Sequence, residues 1–345
     1  MGFQEILGQE DAVLVLSRSL ENDRLAHAYV FSGPDGVGKA LTAFALAGAL
    51  LCSEGPEGPE GPRAANRACG ACPACRKVAA RSHPDLIILE VLPDKKEISI
   101  DQVRDAQSAV SLRAYEGRKK VLIVNAADRL NSSAANAFLK TLEEPPEDTI
   151  IVLVTSQPHL LIPTIRSRCQ EVRFRPLGDA TVARFLVERK GLDRARAAML
   201  AAVSGGSLGK ALAGEPDEAA ARRDTAIDIL ARAAAEPMEE RTALAESLAK
   251  GEGEAEALIE WADLVVRDLL MASIGRTDRL VNVDRAEDLG RIAETVPASA
   301  LFGLAEEIGR ARTALRARGN PRLVMDVFLQ SAAAIMTAQR EAARP

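Results

Sequence analysis

Aromatic side chains are scarce in this chain: Phe, Trp and Tyr together make up 3% of its 345 residues. A protein that grips single-stranded nucleic acid by stacking bases needs a platform of such rings. A formal net charge of −5 also removes any whole-molecule attraction for phosphate. A nucleic-acid-binding module built around a metal is therefore disfavoured. Histidine is equally sparse: His27, His83 and His159 stand far apart and read as packing or hydrogen-bonding residues. There is no Ser-His-Asp or paired-carboxylate arrangement to support hydrolytic chemistry. The longest apolar runs, Ala43–Cys52 and Ile150–Val154, fall short of the ~20 residues that cross a bilayer. The opening Met-Gly-Phe-Gln-Glu-Ile has no basic stretch and no Ser or Thr at residue 6, so neither secretion nor myristoylation is signalled. The expectation is a cytoplasmic protein without a membrane partner. Cysteine is limited to five, an odd number that argues against a disulfide framework.

What is present is an ordinary globular composition, 47% hydrophobic with mean hydropathy −0.02, and enough length for two or three cores. Short β-rich runs at Ala28–Ser32, Leu86–Leu89, Val121–Val124, Ile150–Thr155 and Glu171–Phe174 alternate with helical patterns at Glu10–Glu21, Lys39–Leu51, Ile100–Ser111 and Ser132–Leu142. That alternation predicts a doubly wound parallel sheet. The expected organisation is an α/β domain over residues 1–175, a small helical lid over 176–214 and an alanine-rich, all-helical domain over 215–345. Helix breaks are expected at Pro237, Gly251–Gly253, Gly275 and Gly319-Asn320-Pro321. The thrice-repeated Glu-Gly-Pro of Glu54–Pro62 cannot build a core and reads as a flexible insertion.

Between the first strand and the next helix lies Gly33-Pro-Asp-Gly-Val-Gly-Lys-Ala40, a G-x-x-x-x-G-K phosphate loop. Gly33, Gly36 and Gly38 let the backbone curl so that successive N–H groups face phosphates, and Lys39 would reach the β/γ positions. These four are the candidate nucleotide-binding residues, with ATP as the ligand such a cradle would take. Ala40, however, stands where a Ser or Thr hydroxyl anchors Mg²⁺. The strand that should end in metal-organising carboxylates ends in Asn125-Ala126, and Asp128, three residues beyond Asn125, reads as a turn or capping residue. Independent ATP hydrolysis is not expected. Glu143-Glu144-Pro145-Pro146 reads as a helix end with a solvated acidic face.

Four cysteines follow the spacing Cys52-x₁₆-Cys69-x₂-Cys72-x₂-Cys75. A C-x₂-C turn offers two sulfurs to one ion, and four thiolates close a tetrahedral Zn²⁺ site. The module at 52–75 is thus expected to hold a structural zinc with no open coordination position. Cys169 lies apart and reads as a small apolar residue.

Taken together, Gly8-Gln9, His27-Ala28-Tyr29, the phosphate loop, Leu139–Pro146, Pro163-Thr-Ile-Arg-Ser-Arg-Cys169 and the cysteine module resemble the bacterial clamp-loader subunits, AAA+ proteins of the DNA polymerase III complex. The resemblance is strong over the first two domains and general over the C-terminal helices. It implies an AAA+ P-loop nucleotidase fold, a helical lid and a C-terminal collar. The implied partners are the gamma/tau and delta subunits of a hetero-pentamer and, through that complex, the sliding clamp and primer-template DNA. Ala40, Asn125 and Ala126 depart from the gamma/tau motor pattern, as does Gly209 at the lid's sensor-arginine position beside Lys210. The departures favour a stator-type subunit over the alternative, a self-sufficient ATP-hydrolysing motor. In that role the resemblance implies that Arg168 acts in trans, as an arginine finger on a neighbour's ATP.

Overall fold

Strands with apolar residues on both faces must be covered on both, and that demand organises the first half of the molecule. The computed structural model describes residues 2–54, 57–58, 61–62, 68–117, 119–232, 237–251 and 253–342. Strands β1 (Ala28–Ser32), β4 (Leu86–Leu89), β5 (Lys120–Val124), β6 (Thr149–Thr155) and β7 (Gln170–Arg173) form one sheet in the order β4-β5-β6-β1-β7. All neighbouring pairs are parallel. This is the α/β nucleotidase arrangement expected, and every anticipated strand and helix of this half lies within a residue or two of its expected bounds. The intervening β2 (Glu57–Gly58) and β3 (Gly61–Pro62) pair antiparallel as a minimal hairpin; the rest of the Glu-Gly-Pro repeat beyond Glu54 lies outside the described residues.

β1, β5 and β6 are buried along their whole length. Alternation sends Ala28, Val30, Leu122, Val124, Ile151 and Leu153 to one face, into a core with Phe138, Leu142 and Ile165. That core is covered by α4 (Ile100–Ser111), α5 (Ser132–Glu143) and the single turn α6 (Pro163–Arg166). Ser99 and Gln102 close a capping box at the start of α4, and the Asn131 side chain accepts the Ala134 N–H at the start of α5. The remaining helices of this unit are α1 (Glu10–Glu21), α2 (Lys39–Leu51) and α3 (Pro73–Ala79). Phe31 packs its ring 5.3 Å from that of Phe174.

The chain divides into two units: residues 1–181 with 206–210, and residues 182–205 with 211–345. The stretch expected as a lid, 176–214, is therefore shared. Residues 176–181 and 206–210 belong to the first unit, where the Leu177 N–H donates to the Gly206 carbonyl at 2.9 Å. The stretch carries α7 (Asp179–Lys190), α8 (Arg194–Val203) and α9 (Leu208–Ala213). In the second unit α10 (Pro216–Arg232), α11 (Met238–Leu248), α12 (Glu254–Ser273), α13 (Ala286–Thr295), α14 (Ala298–Arg316) and α15 (Pro321–Ala342) pack around Trp261, Leu301, Leu304 and Phe328. Pro237 caps α11, as its position predicts, while the break at Pro297 was not anticipated. The fully buried Asp268 accepts the N–H groups of Val281 and Asn282. Among the described residues no helix is long and apolar enough to cross a membrane.

One buried carboxylate fixes a loop beside the sheet. Asp85 accepts the N–H groups of Tyr115, Glu116 and Gly117 at 2.6–2.8 Å. Burial alone would raise its pKa, but these three donors outweigh that and hold the carboxyl below the usual range. A carboxyl depressed in the folded state stabilises above its ordinary value of about 3.9, and the contribution is lost as pH falls through the folded value. Asp85→Asn should therefore lower stability by about 1–3 kcal/mol at pH 7. In urea titrations the gap to the parent protein should begin to narrow below about pH 3.9, where the unfolded chain's carboxyl takes up its proton, and go on narrowing as pH falls through the lower folded value.

Candidate functional site

The phosphate loop leaves β1 at Gly33 and enters α2 at Lys39, the strand–loop–helix setting that such a loop requires. Gly33, Gly36 and Gly38 all have positive φ, +147°, +72° and +103°, so the expected curl is present. Lys39 is only 4% exposed. Its ammonium donates to the Gly33 and Pro34 carbonyls at 2.6 and 2.5 Å, with Asp35 at 3.7 Å. Burial lowers its pKa, opposed by the charges of Asp35 and Asp128. The lysine thus closes its own loop.

A second segment rests on that loop. The Gly209 N–H donates to the Gly36 carbonyl at 2.9 Å. A side chain at Gly36 would meet the Ser207 hydroxyl at 2.2 Å, and one at Gly209 would meet the Gly36 Cα at 2.9 Å. Gln9, also buried, ties the loop to the exit of β7: its amide donates to the Val37 and Arg175 carbonyls and accepts the Arg175 N–H. Sequence reasoning noticed Gln9 only as part of a motif. Its long-range partners carry no local signal.

At the end of β5 the Asn125 N–H pairs with the Leu89 carbonyl, and Ala126 turns left-handed with φ +56°. Neither residue offers a carboxylate. Asp128 sits in the following 3₁₀ turn, Ala127–Arg129, as expected of a turn residue. Its carboxylate is nonetheless nearly buried and accepts the Thr155 hydroxyl at 2.6 Å. The turn reading missed this contact, because Thr155 comes from the end of β6, which sequence spacing cannot relate to residue 128.

Arg168 follows α6 and is half-buried. Its guanidinium donates through Nη1 to the Thr164 carbonyl at 2.9 Å and through Nη2 to Glu143 Oε1 at 2.7 Å. Glu143, read as part of a solvated acidic face, is half-exposed but engaged in this ion pair. Nearby Arg166 and Ser167 line a cavity of about 330 Å³ with Val30, Pro158, Pro163 and Glu171. Burial pushes the Cys169 thiol up to about 12, and it packs on the sheet core as a small apolar residue should.

The four remaining cysteines converge. Their sulfurs all lie within 4.8 Å of one another, with Cys52–Cys72 at 3.9 Å and Cys69–Cys75 at 3.8 Å. Thiolates at about 2.3 Å from a tetrahedral ion stand ~3.8 Å apart, so the set could hold a metal. Backbone N–H groups of Cys69, Cys72 and Cys75 each donate to a cysteine sulfur, the support a thiolate needs. Burial pushes the Cys75 and Cys52 thiols up. At Cys72 the upward pull of burial is outweighed by hydrogen bonds from Ser53 and the Cys75 N–H, which bring it to about 6. His83 stays apart from the cluster: it accepts the Asp85 N–H, and burial lowers its pKa.

Residues 8–178 match the family described as "DNA polymerase III, delta subunit". Over 181 residues the chain is 36% identical to the DNA polymerase III subunit delta' of Bacillus subtilis, a match covering 52% of each protein. It is 42% identical over 184 residues to the corresponding subunit of Pseudomonas aeruginosa, covering 53% of each. To the tau subunit of Bacillus subtilis it is 27% identical over 350 residues, covering 94% of this chain and 60% of that protein. The match to the two delta' relatives thus spans about half of their length.

The closeness of Gly36 to Gly209 yields a test. Gly209→Ala should force backbone apart and lower stability by about 1–3 kcal/mol in a denaturant titration. An unchanged midpoint would show that the segment does not bear on the loop.

Proposed function

We infer that this chain, which belongs through residues 8–178 to the clamp-loader family of DNA polymerase III, serves as its delta-prime-type subunit and assists ATP hydrolysis on a neighbour. The C-terminal helices would join a pentameric collar with gamma/tau and delta subunits, and the complex would load the sliding clamp onto primed DNA. The observation that carries this reading is Arg168, anchored at the end of α6, in a chain whose own loop has Ala40 in place of the metal-anchoring hydroxyl. A planar, always-charged guanidinium can offer paired donors to a γ-phosphoryl group across an interface. Charge builds on that group's oxygens during transfer, and a finger that meets it can be worth about 10³–10⁵ in rate.

In the same reading the loop's own chemistry is lost. Lys39 would supply one positive charge to a bound phosphate, but it is satisfied by Gly33 and Pro34, and residues 125 and 126 give no carboxylate to organise Mg²⁺. Any ATP held at Gly33, Gly36, Gly38 and Lys39 would not turn over. The motor alternative predicts the reverse, turnover by the isolated chain that is abolished by Lys39→Ala.

Arg168→Ala should leave the fold intact, because a half-exposed ion pair contributes only about 0–1 kcal/mol. It should lower the DNA- and clamp-stimulated ATPase of the assembled complex by at least about a hundredfold at the affected site. Arg168→Lys should rescue poorly, since an ammonium lacks the fork. Parent-like turnover by the complex carrying Arg168→Ala would remove the finger.

For the cysteine cluster, zinc is the metal we propose: four thiolates in a closed set favour it and leave no position for a reacting water. Elemental analysis should find about one zinc per chain. Cys75→Ser should release the metal and lower the melting temperature. A metal-free protein with four reactive thiols and unchanged stability would exclude this assignment.

A further inference from the structure

We propose that Glu143 is the positioning residue for Arg168, holding its guanidinium in the orientation needed for action on the neighbouring subunit's nucleotide. This rests on the finger reading above and adds a residue to it. Arg side chains carry four rotatable bonds, and a finger that sampled them all would meet its target rarely. Here both terminal nitrogens are fixed from different directions. Nη1 donates to the Thr164 carbonyl, within the turn that presents the arginine, and Nη2 donates to Glu143, which comes from another helix.

The two supports are themselves rigid. Glu143 is the last residue of α5, whose Phe138 and Leu142 are buried in the sheet core. Pro145 and Pro146 follow after Glu144 and prevent the helix from continuing. Thr164 lies in α6, whose next residue, Ile165, is fully buried in that same core. The backbone beyond is tied down by the Ser167 N–H to the Pro163 carbonyl and the Arg168 N–H to the Ile165 carbonyl. A shared hydrophobic core therefore sets the distance between carboxylate and guanidinium. Glu143 takes only one face of the fork, and a guanidinium has five N–H donors, so a phosphoryl oxygen can be met without breaking the pair. The acidic residue also offsets positive charge until a neighbour's phosphates arrive.

The test is steady-state ATP hydrolysis by the complete clamp-loader complex, with kcat and KM read separately, for Glu143→Ala, Glu143→Gln, Arg168→Ala and the double variant. Misplacing a reacting group by about 1 Å can cost up to about a hundredfold. Glu143→Ala should accordingly lower kcat by about tenfold to a hundredfold, with KM for ATP unchanged, because the finger acts on charge developed in the transition state. Glu143→Gln keeps an oxygen for Nη2 and should recover most of the rate. The double variant should be no slower than Arg168→Ala alone, as expected if Glu143 works only through the arginine. A normal or faster kcat for Glu143→Ala, alongside a slow Arg168→Ala, would overturn the proposal and leave the finger standing. So would a further loss when both changes are combined, which would indicate a structural role. If Arg168→Ala itself turns over normally, the finger reading falls and this assignment falls with it.

Discussion

The first unit is built around a buried ammonium. A lysine removed from water needs acceptors on hand, and Lys39 finds them in the carbonyls of the loop that precedes it. Satisfying that charge fixes the curl of Gly33–Lys39. The curl in turn sets where Gly36 meets Gly209 and where the Val37 carbonyl meets Gln9. Gln9 reaches on to Arg175, just past β7. One loop thus gathers the start of α1, the exit of the sheet's last strand and the 206–210 segment. The loop has this structural work whether or not it holds a nucleotide, and its glycines serve it.

The cysteine module and the loop fixed by Asp85 stabilise a different side of the unit by polar means. Among the described residues the cysteine cluster adds Ala68 and Ala74 to its sulfurs. A bound ion can substitute for a core in so small a module, while Asp85 organises its loop by accepting three N–H groups. Lys77 on α3 pairs with Glu116 in that loop, so the two are joined directly.

Sequence patterns that act over a few residues were readable. Strands buried on both faces, helices with 3.6-residue periodicity and the C-x₂-C turns are all local, and the structure places them where expected. What escaped was long-range pairing. Glu143 reads as solvated until α6 brings Arg168 beside it, and Asp128 reads as a turn until β6 supplies Thr155. The helix Pro73–Ala79 was hidden because its residues were claimed by the cysteine spacing, yet its first turn is capped by the Cys72 sulfur. The division of 176–214 places Leu177 and Gly206 together in the first unit, joined by a hydrogen bond, which no local pattern encodes. The proposed role of Arg168 on a neighbour's nucleotide lies further out still, since the atoms it would meet belong to another chain.

The strand order carries a consequence for how the chain is made. β1 pairs with β6 on one side and β7 on the other, in register from Ala28 to Ile151 and from Tyr29 to Gln170. Both neighbours are synthesised more than about 120 residues later, which at ~5–20 residues per second is a wait of roughly 6–25 s on the ribosome. Throughout that interval Ala28-Tyr-Val-Phe-Ser32, an apolar edge without a partner, emerges ahead of the strands that will cover it. Such an edge invites association with other chains, a hazard that ends only when residues 149–173 are available to cover β1.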